Sequence, residues 1–256
     1  MSLILDKINY VYSEGTAYQI QALKDVNLEI KDGQFIGVIG HTGSGKSTLI
    51  QHFNALIQPT SGTVSYNGED VWAEKYDRRK LRSEVGLVFQ YPEHQLFESD
   101  VLSDVCFGPM NQGMTREQAE EEARKALHHV GFKEENFDKS PFELSGGMCQ
   151  RVGIAMAMTF QPKLLLADEP TSAHDVTTQA KIVRQMMELR DDFGTGIIVV
   201  THNIGVAAYM ADKLLVMRQG KVVDSGQRED ILHNPQSEYT KNLLASVPAL
   251  KGERYV

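Results

Sequence analysis

The sequence contains no apolar run that could span a membrane, and it contains few cysteines. A bilayer-spanning helix needs roughly 20 consecutive apolar residues, whereas the longest runs here, such as 196–200, have only the length of a strand. Two cysteines, Cys106 and Cys149, are too few for a disulfide framework. The first six residues lack the basic and apolar regions of a signal peptide. We therefore expect a cytosolic chain that is held by a partner if it works at a membrane.

Basic residues are also scarce relative to acidic ones. The chain has 26 lysines and arginines against 34 aspartates and glutamates, which gives a net charge of −8. A general nucleic-acid surface needs a basic stripe, so we expect no nucleic-acid partner. The apolar share of 41% and the charged share of 23% are ordinary for a soluble globular protein. A length of 256 residues allows one large α/β domain or two closely packed subdomains.

Residues 40–48 match the phosphate-loop pattern G-x-x-x-x-G-K-[ST] without a mismatch. The loop follows a buried-strand pattern at 35–39 and precedes a predicted helix at 48–56, a setting that a chance glycine turn would lack. Backbone N–H groups of such a loop close around phosphates. Lys46 can reach the β- and γ-phosphates, and the Ser47 hydroxyl can bind Mg²⁺. We therefore predict an ATP site formed by Gly40, His41, Thr42, Gly43, Ser44, Gly45, Lys46, Ser47 and Thr48.

The pattern of apolar residues predicts an α/β fold with a phosphate-loop core, a mixed sheet, an antiparallel β subdomain and an inserted α-helical subdomain. Besides 35–39, the predicted strands lie at 3–12, 26–30, 61–68, 85–90, 163–170 and 197–201, with a hairpin at 214–223. A capping box at Thr115 begins a helix. We predict one nucleotide-binding domain over 1–256, with the core at about 1–90 and 160–230, helices at about 91–159 and a helical tail at about 231–256.

Two further clusters carry chemistry. Asp168 ends an apolar run, as the Mg²⁺-side carboxylate of a phosphate-loop enzyme does, and the adjacent Glu169 can polarise a water for attack on the γ-phosphate. Without a phosphate loop, a solvated strand end would explain this pair as well. Ser145, Gly146 and Gly147 open an apolar helix, which makes a second helix N-terminus that can bind an anion. One nucleotide does not need two such sites, so we expect the second to serve a nucleotide held by another copy.

Taken together, the motifs resemble those of the nucleotide-binding subunits of ATP-binding-cassette (ABC) transporters over essentially the whole chain. The resemblance implies that two ATPase subunits, identical or related, close head-to-tail with ATP between 40–48 of one and 145–147 of the other. It also implies ATP hydrolysis coupled to transport through an integral membrane subunit, at the cytoplasmic face of the membrane. The motifs stand in family order: phosphate loop 40–48, Gln90, signature 144–150, acidic strand 164–169, segment 172–175 and His202.

The same resemblance assigns nucleotide and metal contacts to individual residues. Tyr12 would stack on adenine, although an ordinary strand tyrosine fits the sequence too. Ser47 and Gln90 would contact Mg²⁺, with Asp168 behind them. Asp175 would cross the interface between the two subunits.

Catalytic roles follow from the same comparison. Glu169 would be the general base, and His202 would hold the γ-phosphate and the catalytic geometry, together with Lys46 and Gln90. The chain departs from the family at His174, where a leucine-like residue is usual, and at Asn203, where an aspartate is usual. Neither departure removes a catalytic group.

Two subfamilies of importer ATPases resemble different parts of the chain. Segment 89–98 and segment 107–109 resemble ATPases of energy-coupling-factor importers, which take up vitamins and cobalt or nickel, whereas 147–151 and 234–240 resemble ATPases of peptide and nickel importers. The segment after Gln90 usually meets the membrane subunit, so we favour the energy-coupling-factor type. A non-transport ABC protein would need a coiled-coil insertion or a second cassette, and a phosphate-loop kinase would leave 145–147 without a function.

Overall fold

The computed structural model describes residues 2–172 and 175–246, so His174 and residues 247–256 lie outside the described part. The strands are β1 (Ser2–Tyr12), β2 (Ile20–Lys31), β3 (Phe35–Ile39), β4 (Ser61–Tyr66), β5 (Glu69–Asp70), β6 (Val85–Val88), β7 (Leu164–Asp168), β8 (Gly196–Thr201), β9 (Lys213–Arg218) and β10 (Lys221–Gln227). The α-helices are α1 (Lys46–Phe53), α2 (Arg78–Glu84), α3 (Val101–Asn111), α4 (Arg116–His129), α5 (Gly146–Met158), α6 (Val176–Phe193), α7 (Ile204–Met210), α8 (Arg228–His233) and α9 (Glu238–Ala245).

A six-stranded sheet with the order β10-β9-β3-β8-β7-β6 forms the centre of the fold. All its strands run parallel except β10, which is antiparallel to β9, so the predicted mixed sheet is confirmed. The phosphate-loop strand β3 lies between β8 and β9. Because parallel strands end at the same edge, the segments after β3, β6, β7 and β8 meet there, where ligands of such sheets bind.

Side chains of the central strands alternate between two separate cores, one on each face of the sheet. On β3, Phe35 and Ile39 belong to the core beneath the helices, whereas Ile36 and Val38 belong to the core shared with the second sheet. The same alternation holds for β7, β8 and β9. Continuous apolar runs are what a sheet covered on both faces requires, which is why these strands were readable in the sequence.

The second sheet is antiparallel, has the order β2-β1-β4-β5 and matches the predicted β subdomain. The Asn67-Gly68 turn joins β4 to β5, with positive φ at both residues, as expected of a hairpin turn. This sheet touches the central one where the Lys24 N–H donates to the Gly220 carbonyl at 2.8 Å. Residues of β1, β2 and β4 close the second core over α1.

The region between β6 and β7 is helical, as predicted. It holds α3, α4 and α5 together with 3₁₀ turns at Pro92–His94, Glu134–Asn136 and Pro141–Glu143. The capping box at Thr115 is present, with reciprocal hydrogen bonds to Gln118. The boundaries of this region as a separate subdomain stay a prediction. Among the described residues, no helix combines the length and the apolarity needed to cross a membrane.

Several boundaries differ from the predicted ones. Helix α1 begins at Lys46, inside the phosphate loop, because Gly45 is its N-cap. The helix ends at Phe53. Strand β6 ends at Val88, so Gln90 lies in the loop beyond it. Helices α2 and α7 were not predicted from the sequence. Asn203 caps α7 by accepting the Val206 N–H at 3.2 Å, so the amide at this position has a structural role.

A buried histidine on α1 makes stability depend on pH. His52 is fully buried, and its Nδ1 lies 2.7 Å from the Thr48 carbonyl. Burial lowers the pKa of His52, while the hydrogen bond to Thr48 opposes that shift. Because the folded-state pKa lies below that of an unfolded histidine, about 6.5, this contribution is complete above pH 6.5. It declines as the pH falls below that value, since the unfolded chain then takes up the proton more readily.

We expect the free energy of unfolding to fall less between pH 7.5 and pH 5.5 in His52→Gln than in the wild type. Urea unfolding at both pH values measures the difference. The exposed His94→Gln variant controls for the loss of one imidazole. An equal pH-dependent loss in His52→Gln and the wild type would contradict this assignment.

Candidate active site

Two glycines shape the phosphate loop because neighbouring backbone leaves no room for a side chain. Strand β3, whose residues are all buried, leads into the loop. Gly40 has φ of 151° and Gly45 has φ of 99°, values that favour glycine. A Cβ on Gly40 would overlap the Met217 carbonyl, and one on Gly45 would lie 2.5 Å from the Ala22 carbonyl oxygen. The loop is therefore packed tightly between β9 and the start of β2.

The tip of the loop, residues 42–44, is tied back to its surroundings. The Ser44 N–H donates to the His41 carbonyl at 3.1 Å, which closes a turn over Thr42 and Gly43. The Ser44 carbonyl in turn accepts the Gly220 N–H at 2.9 Å, from the turn between β9 and β10. The loop thus keeps its shape through its own hydrogen bonds and through the adjacent hairpin.

Lys46 lies at the base of the loop and is only 5% exposed. Its Nζ donates to the Gly40 carbonyl at 2.8 Å and to the His41 carbonyl at 3.0 Å. An ammonium group has three hydrogens to donate, so these two bonds do not exhaust it. Burial lowers the pKa of Lys46, and the charges of Glu169 and Asp168 oppose that shift. An anion brought to the loop would favour the charged ammonium further.

Ser47 and Asp168 meet at the tips of α1 and β7. The Ser47 Oγ donates to the Asp168 Oδ1 at 3.1 Å, across 121 residues of sequence. Burial is the largest influence on Asp168 and raises its pKa, which the Ser47 hydrogen bond and the Lys46 charge offset in part. A buried carboxylate that lacks a full set of partners is costly unless a cation or further donors compensate it. Hydroxyl and carboxylate oxygens are ligands that Mg²⁺ accepts.

One carboxylate oxygen collects side chains from three different loops. The Glu169 Oε2 accepts the Ser172 hydroxyl at 2.6 Å and lies 3.1 Å from the His202 Nδ1 and 3.4 Å from the Gln90 Nε2. The Glu169 backbone has φ of 47°, in the left-handed region, and its N–H donates to the Val200 carbonyl at 2.8 Å. Such strain in a non-glycine residue persists only where the surroundings enforce it. The side chain is 15% exposed, so solvent still reaches it.

The structure therefore brings Gln90, Glu169 and His202 together, as expected from residues at neighbouring strand ends. Their assignment to particular steps stays a prediction. Ser172 was not assigned a role from the sequence, although it is the residue closest to the glutamate. The sequence offers one signal for this contact, a hydroxyl residue three positions after Glu169. In the structure the Ser172 N–H donates to the Glu169 carbonyl at 3.0 Å and closes a turn between the two residues.

Tyr12 lies beside the first turn of α1. Its hydroxyl is 3.1 Å from the Thr48 Oγ1, and 40% of the residue is exposed. The Tyr10 ring packs edge-on against both the Tyr12 ring and the His52 ring, with centroids 4.8 and 5.2 Å away. A row of rings thus fixes Tyr12 next to the phosphate loop. Adenine stacking stays a prediction.

The second helix N-terminus, at α5, is formed as predicted. Ser145 is the N-cap, but its side chain makes no cap hydrogen bond, and Ser145 and Gly146 are exposed. A Cβ on Gly147 would lie 2.7 Å from the Thr178 Cγ2, so the start of α5 packs closely against α6. Asp175 caps α6 by accepting the Thr178 N–H at 3.0 Å and the Thr178 hydroxyl at 2.8 Å. These bonds hold the pKa of Asp175 below its ordinary value.

The α5 N-terminus opens into a cleft of about 840 Å³. Residues 145–147, Gln90, Ser172 and Asp175 line the cleft, whereas no described residue of 40–48 does. The cleft at the α5 N-terminus is thus lined by Gln90 and Ser172, both of which contact Glu169, but not by the phosphate loop. A role of Asp175 in contact with a second subunit stays a prediction.

Known proteins resemble this chain in sequence. The family profile described as "ABC transporter" matches residues 23–172. The chain is 42% identical over 250 residues to the energy-coupling factor transporter ATP-binding protein EcfA2 of Caldanaerobacter subterraneus subsp. tengcongensis, which covers 98% of this chain and 87% of the relative. It is 47% identical over 218 residues to EcfA2 of Bacillus subtilis, which covers 84% of this chain and 79% of the relative.

Solved structures share the fold. The structure of cbiO1 from Clostridium perfringens, described as part of the ABC transporter complex cbiONQ, has a TM-score of 0.79 and 34% identity over 90% of this chain and 89% of its own. The ATP-binding cassette MJ0796, described as a dimer in a post-hydrolysis state bound to ADP and Pi, has a TM-score of 0.78 and 31% identity over 88% of this chain and 98% of its own. The resemblance of the C-terminal half to peptide and nickel importers is not shown by these relatives.

We expect Lys46→Ala to weaken ATP binding at least about tenfold, because a hydrogen bond from a charged donor contributes roughly 1.5–3 kcal/mol. Isothermal titration measures the affinity, and thermal unfolding checks that the fold is retained. Lys221→Ala, at an exposed position of β10, is the matched control. Unchanged ATP affinity in Lys46→Ala would refute the assignment of the loop.

Proposed function

The chain belongs to the ABC transporter family, and from this premise we propose that it is the ATP-hydrolysing subunit of an importer of the energy-coupling-factor type. The observation that carries the ATPase assignment is the convergence of Ser172, His202 and Gln90 on one oxygen of Glu169. The EcfA2 relatives, which match 84–98% of the chain, support the transporter type. The chain binds ATP, hydrolyses it and transmits the resulting change to a membrane component.

ATP binding rests on the phosphate loop. Backbone N–H groups within the loop and at the α1 N-terminus, other than those of His41 and Ser44, surround the phosphates, Lys46 contacts the β- and γ-phosphates, and Tyr12 stacks on adenine. Ser47, Asp168 and Gln90 would hold Mg²⁺, which would neutralise charge on the phosphate oxygens. Among the described residues, no three His, Cys, Asp or Glu side chains gather into a site that holds a metal by themselves. Such an arrangement suits Mg²⁺, which commonly relies on substrate phosphates for further ligands.

Hydrolysis rests on Glu169. Water attacks the γ-phosphorus in line with the bond to the β–γ bridging oxygen, and Glu169 accepts the proton of that water as the bond breaks and ADP leaves. A carboxylate offers about four lone-pair positions on two oxygens, so the contacts with Ser172 and His202 orient the group without filling it. Gln90 connects this carboxylate to the Mg²⁺ site, and His202 connects it to the γ-phosphate.

A second ATPase subunit completes each site. Residues 145–147 present a second helix N-terminus, and the cleft in front of it is lined without any residue of 40–48, which supports a role for it on a nucleotide held elsewhere. Ser145, Gly146 and Gly147 therefore contact the γ-phosphate of a nucleotide bound to the other subunit, with Asp175 at the interface. ATP closes the pair of subunits, and hydrolysis with product release reopens it.

The membrane component docks near the segment after Gln90. Phe97 is 61% exposed, and its ring packs edge-on against the exposed Phe107 at a centroid distance of 4.8 Å. Asp104 fixes this platform by accepting the N–H groups of Phe97 and Glu98 at 3.0 and 3.1 Å. Exposed aromatic pairs of this kind are typical of interaction surfaces. Bound there, the chain is a peripheral subunit at the cytoplasmic face of the membrane.

We expect Glu169→Gln to reduce ATP turnover by at least about 10²-fold, the lower range for a general base, while ATP affinity stays within twofold of the wild type. Phosphate release at saturating MgATP measures turnover. Glu74→Gln, which changes an exposed glutamate away from the strand tips, is the control. Turnover in Glu169→Gln equal to that of the wild type would show that another group is the base.

We expect the double variant Phe97→Ala/Phe107→Ala to lose co-purification with the multi-span membrane component, because it removes the exposed aromatic platform. Affinity purification from detergent-solubilised membranes measures the association. Tyr209→Ala, which removes another exposed aromatic ring on α7, is the control. Undiminished recovery of the membrane component with the double variant would place the docking surface elsewhere.

A further inference from the structure

Tyr239, on α9, contacts the phosphate loop although no motif of the sequence includes it. Its hydroxyl accepts the backbone N–H of His41 at 3.1 Å, across 198 residues of sequence. The Tyr239 and His41 rings pack edge-on with centroids 5.7 Å apart, and the Arg218 guanidinium lies 4.9 Å from the Tyr239 ring centroid. A polar contact and two ring contacts thus join the C-terminal helix to the loop.

The hydrogen bond that Tyr239 accepts comes from the same peptide group that holds Lys46. The N–H of the Gly40–His41 peptide donates to Tyr239, while the carbonyl of that peptide accepts the Lys46 Nζ at 2.8 Å. A trans peptide is planar, with its N–H and C=O on opposite sides. Gly40, which supplies the carbonyl of this peptide, has φ of 151°. Because glycine has no side chain, it restricts rotation of the peptide plane less than another residue would. Tyr239 therefore fixes the plane on one side, and Lys46 is positioned on the other.

Helix α9 is itself firmly placed, so Tyr239 acts from a fixed base. The Asp224 carboxylate on β10 accepts the N–H groups of Gln236 and Ser237 at 2.9 and 3.1 Å. The Ser237 hydroxyl then caps the helix by accepting the Tyr239 N–H at 3.2 Å. Leu243 on the same helix is buried in the core beneath the sheet. The chain of contacts runs from β10 through α9 to the loop.

We propose that Tyr239 is a positioning residue for Lys46, and that through it the docking of α9 and the binding of ATP stabilise each other. The inference rests on the proposed ATP site at 40–48 and adds a residue outside the family motifs to it. Coupling of two binding events is reciprocal. ATP should therefore protect the α9 backbone from hydrogen exchange, as α9 favours ATP binding.

Tyr239→Phe tests the proposal because it removes the hydroxyl and keeps the ring. We expect MgATP affinity, measured by titration in the Glu169→Gln background, to fall about three- to tenfold, the range of one hydrogen bond. The thermal midpoint without nucleotide should stay near that of the parent. ATP should protect α9 amides in the parent and protect them less in Tyr239→Phe.

Tyr66→Phe is the matched control, because it removes a hydroxyl at the end of β4 that donates to Glu84, on α2, at 2.6 Å. It should lower the thermal midpoint and leave MgATP affinity unchanged. Affinity of Tyr239→Phe within twofold of the parent would overturn the proposal, as would an equal loss of affinity in Tyr66→Phe. If Lys46→Ala loses ATP while Tyr239→Phe does not, only this inference fails; if Lys46→Ala also binds normally, the proposed ATP site fails.

Discussion

The parallel register of the central strands is the constraint on which the rest of the structure depends. Ile39 pairs with Thr201, and Asp168 pairs with Val200, so the residues that follow these strands emerge at one level of the sheet edge. A shift of one residue in β7 would move Asp168 away from Ser47 and would turn every side chain of the strand toward the wrong core. The two apolar cores therefore fix the register, and the register places the polar groups.

The site accepts unfavourable electrostatics that a ligand can relieve. Lys46 and Asp168 are both buried. Burial lowers the pKa of Lys46 and raises the pKa of Asp168, so it disfavours the charged form of each group. The strained backbone of Glu169 adds to the cost. In the proposed complex, phosphates and a divalent cation would supply charges that compensate Lys46 and Asp168. Perturbed pKa values of this kind are common in functional sites.

The sequence predicted those parts of the fold that depend on local patterns. Runs such as 164–168 and 197–201 are apolar because both faces of the sheet are covered, and the motif at 40–48 requires its strand and helix. It did not predict α2, whose seven residues bury only Leu81, and it placed the start of α1 two residues late, at Thr48 rather than Lys46, because the helix begins inside the motif. Contacts such as Ser172 with Glu169 and Tyr239 with His41 depend on turn geometry and tertiary packing, which no periodicity encodes. His174 and residues 247–256 lie outside the described chain.

In the proposed assembly the chain carries one half of each of two ATP sites rather than one complete site. The most direct test is the structure of the Glu169→Gln protein, purified with its second ATPase subunit and bound to MgATP. We expect the phosphates to lie in residues 40–48 against Lys46, and the equivalent of 145–147 from the other subunit to contact the γ-phosphate. A nucleotide enclosed by 40–48 and 145–147 of the same chain would contradict the proposed assembly.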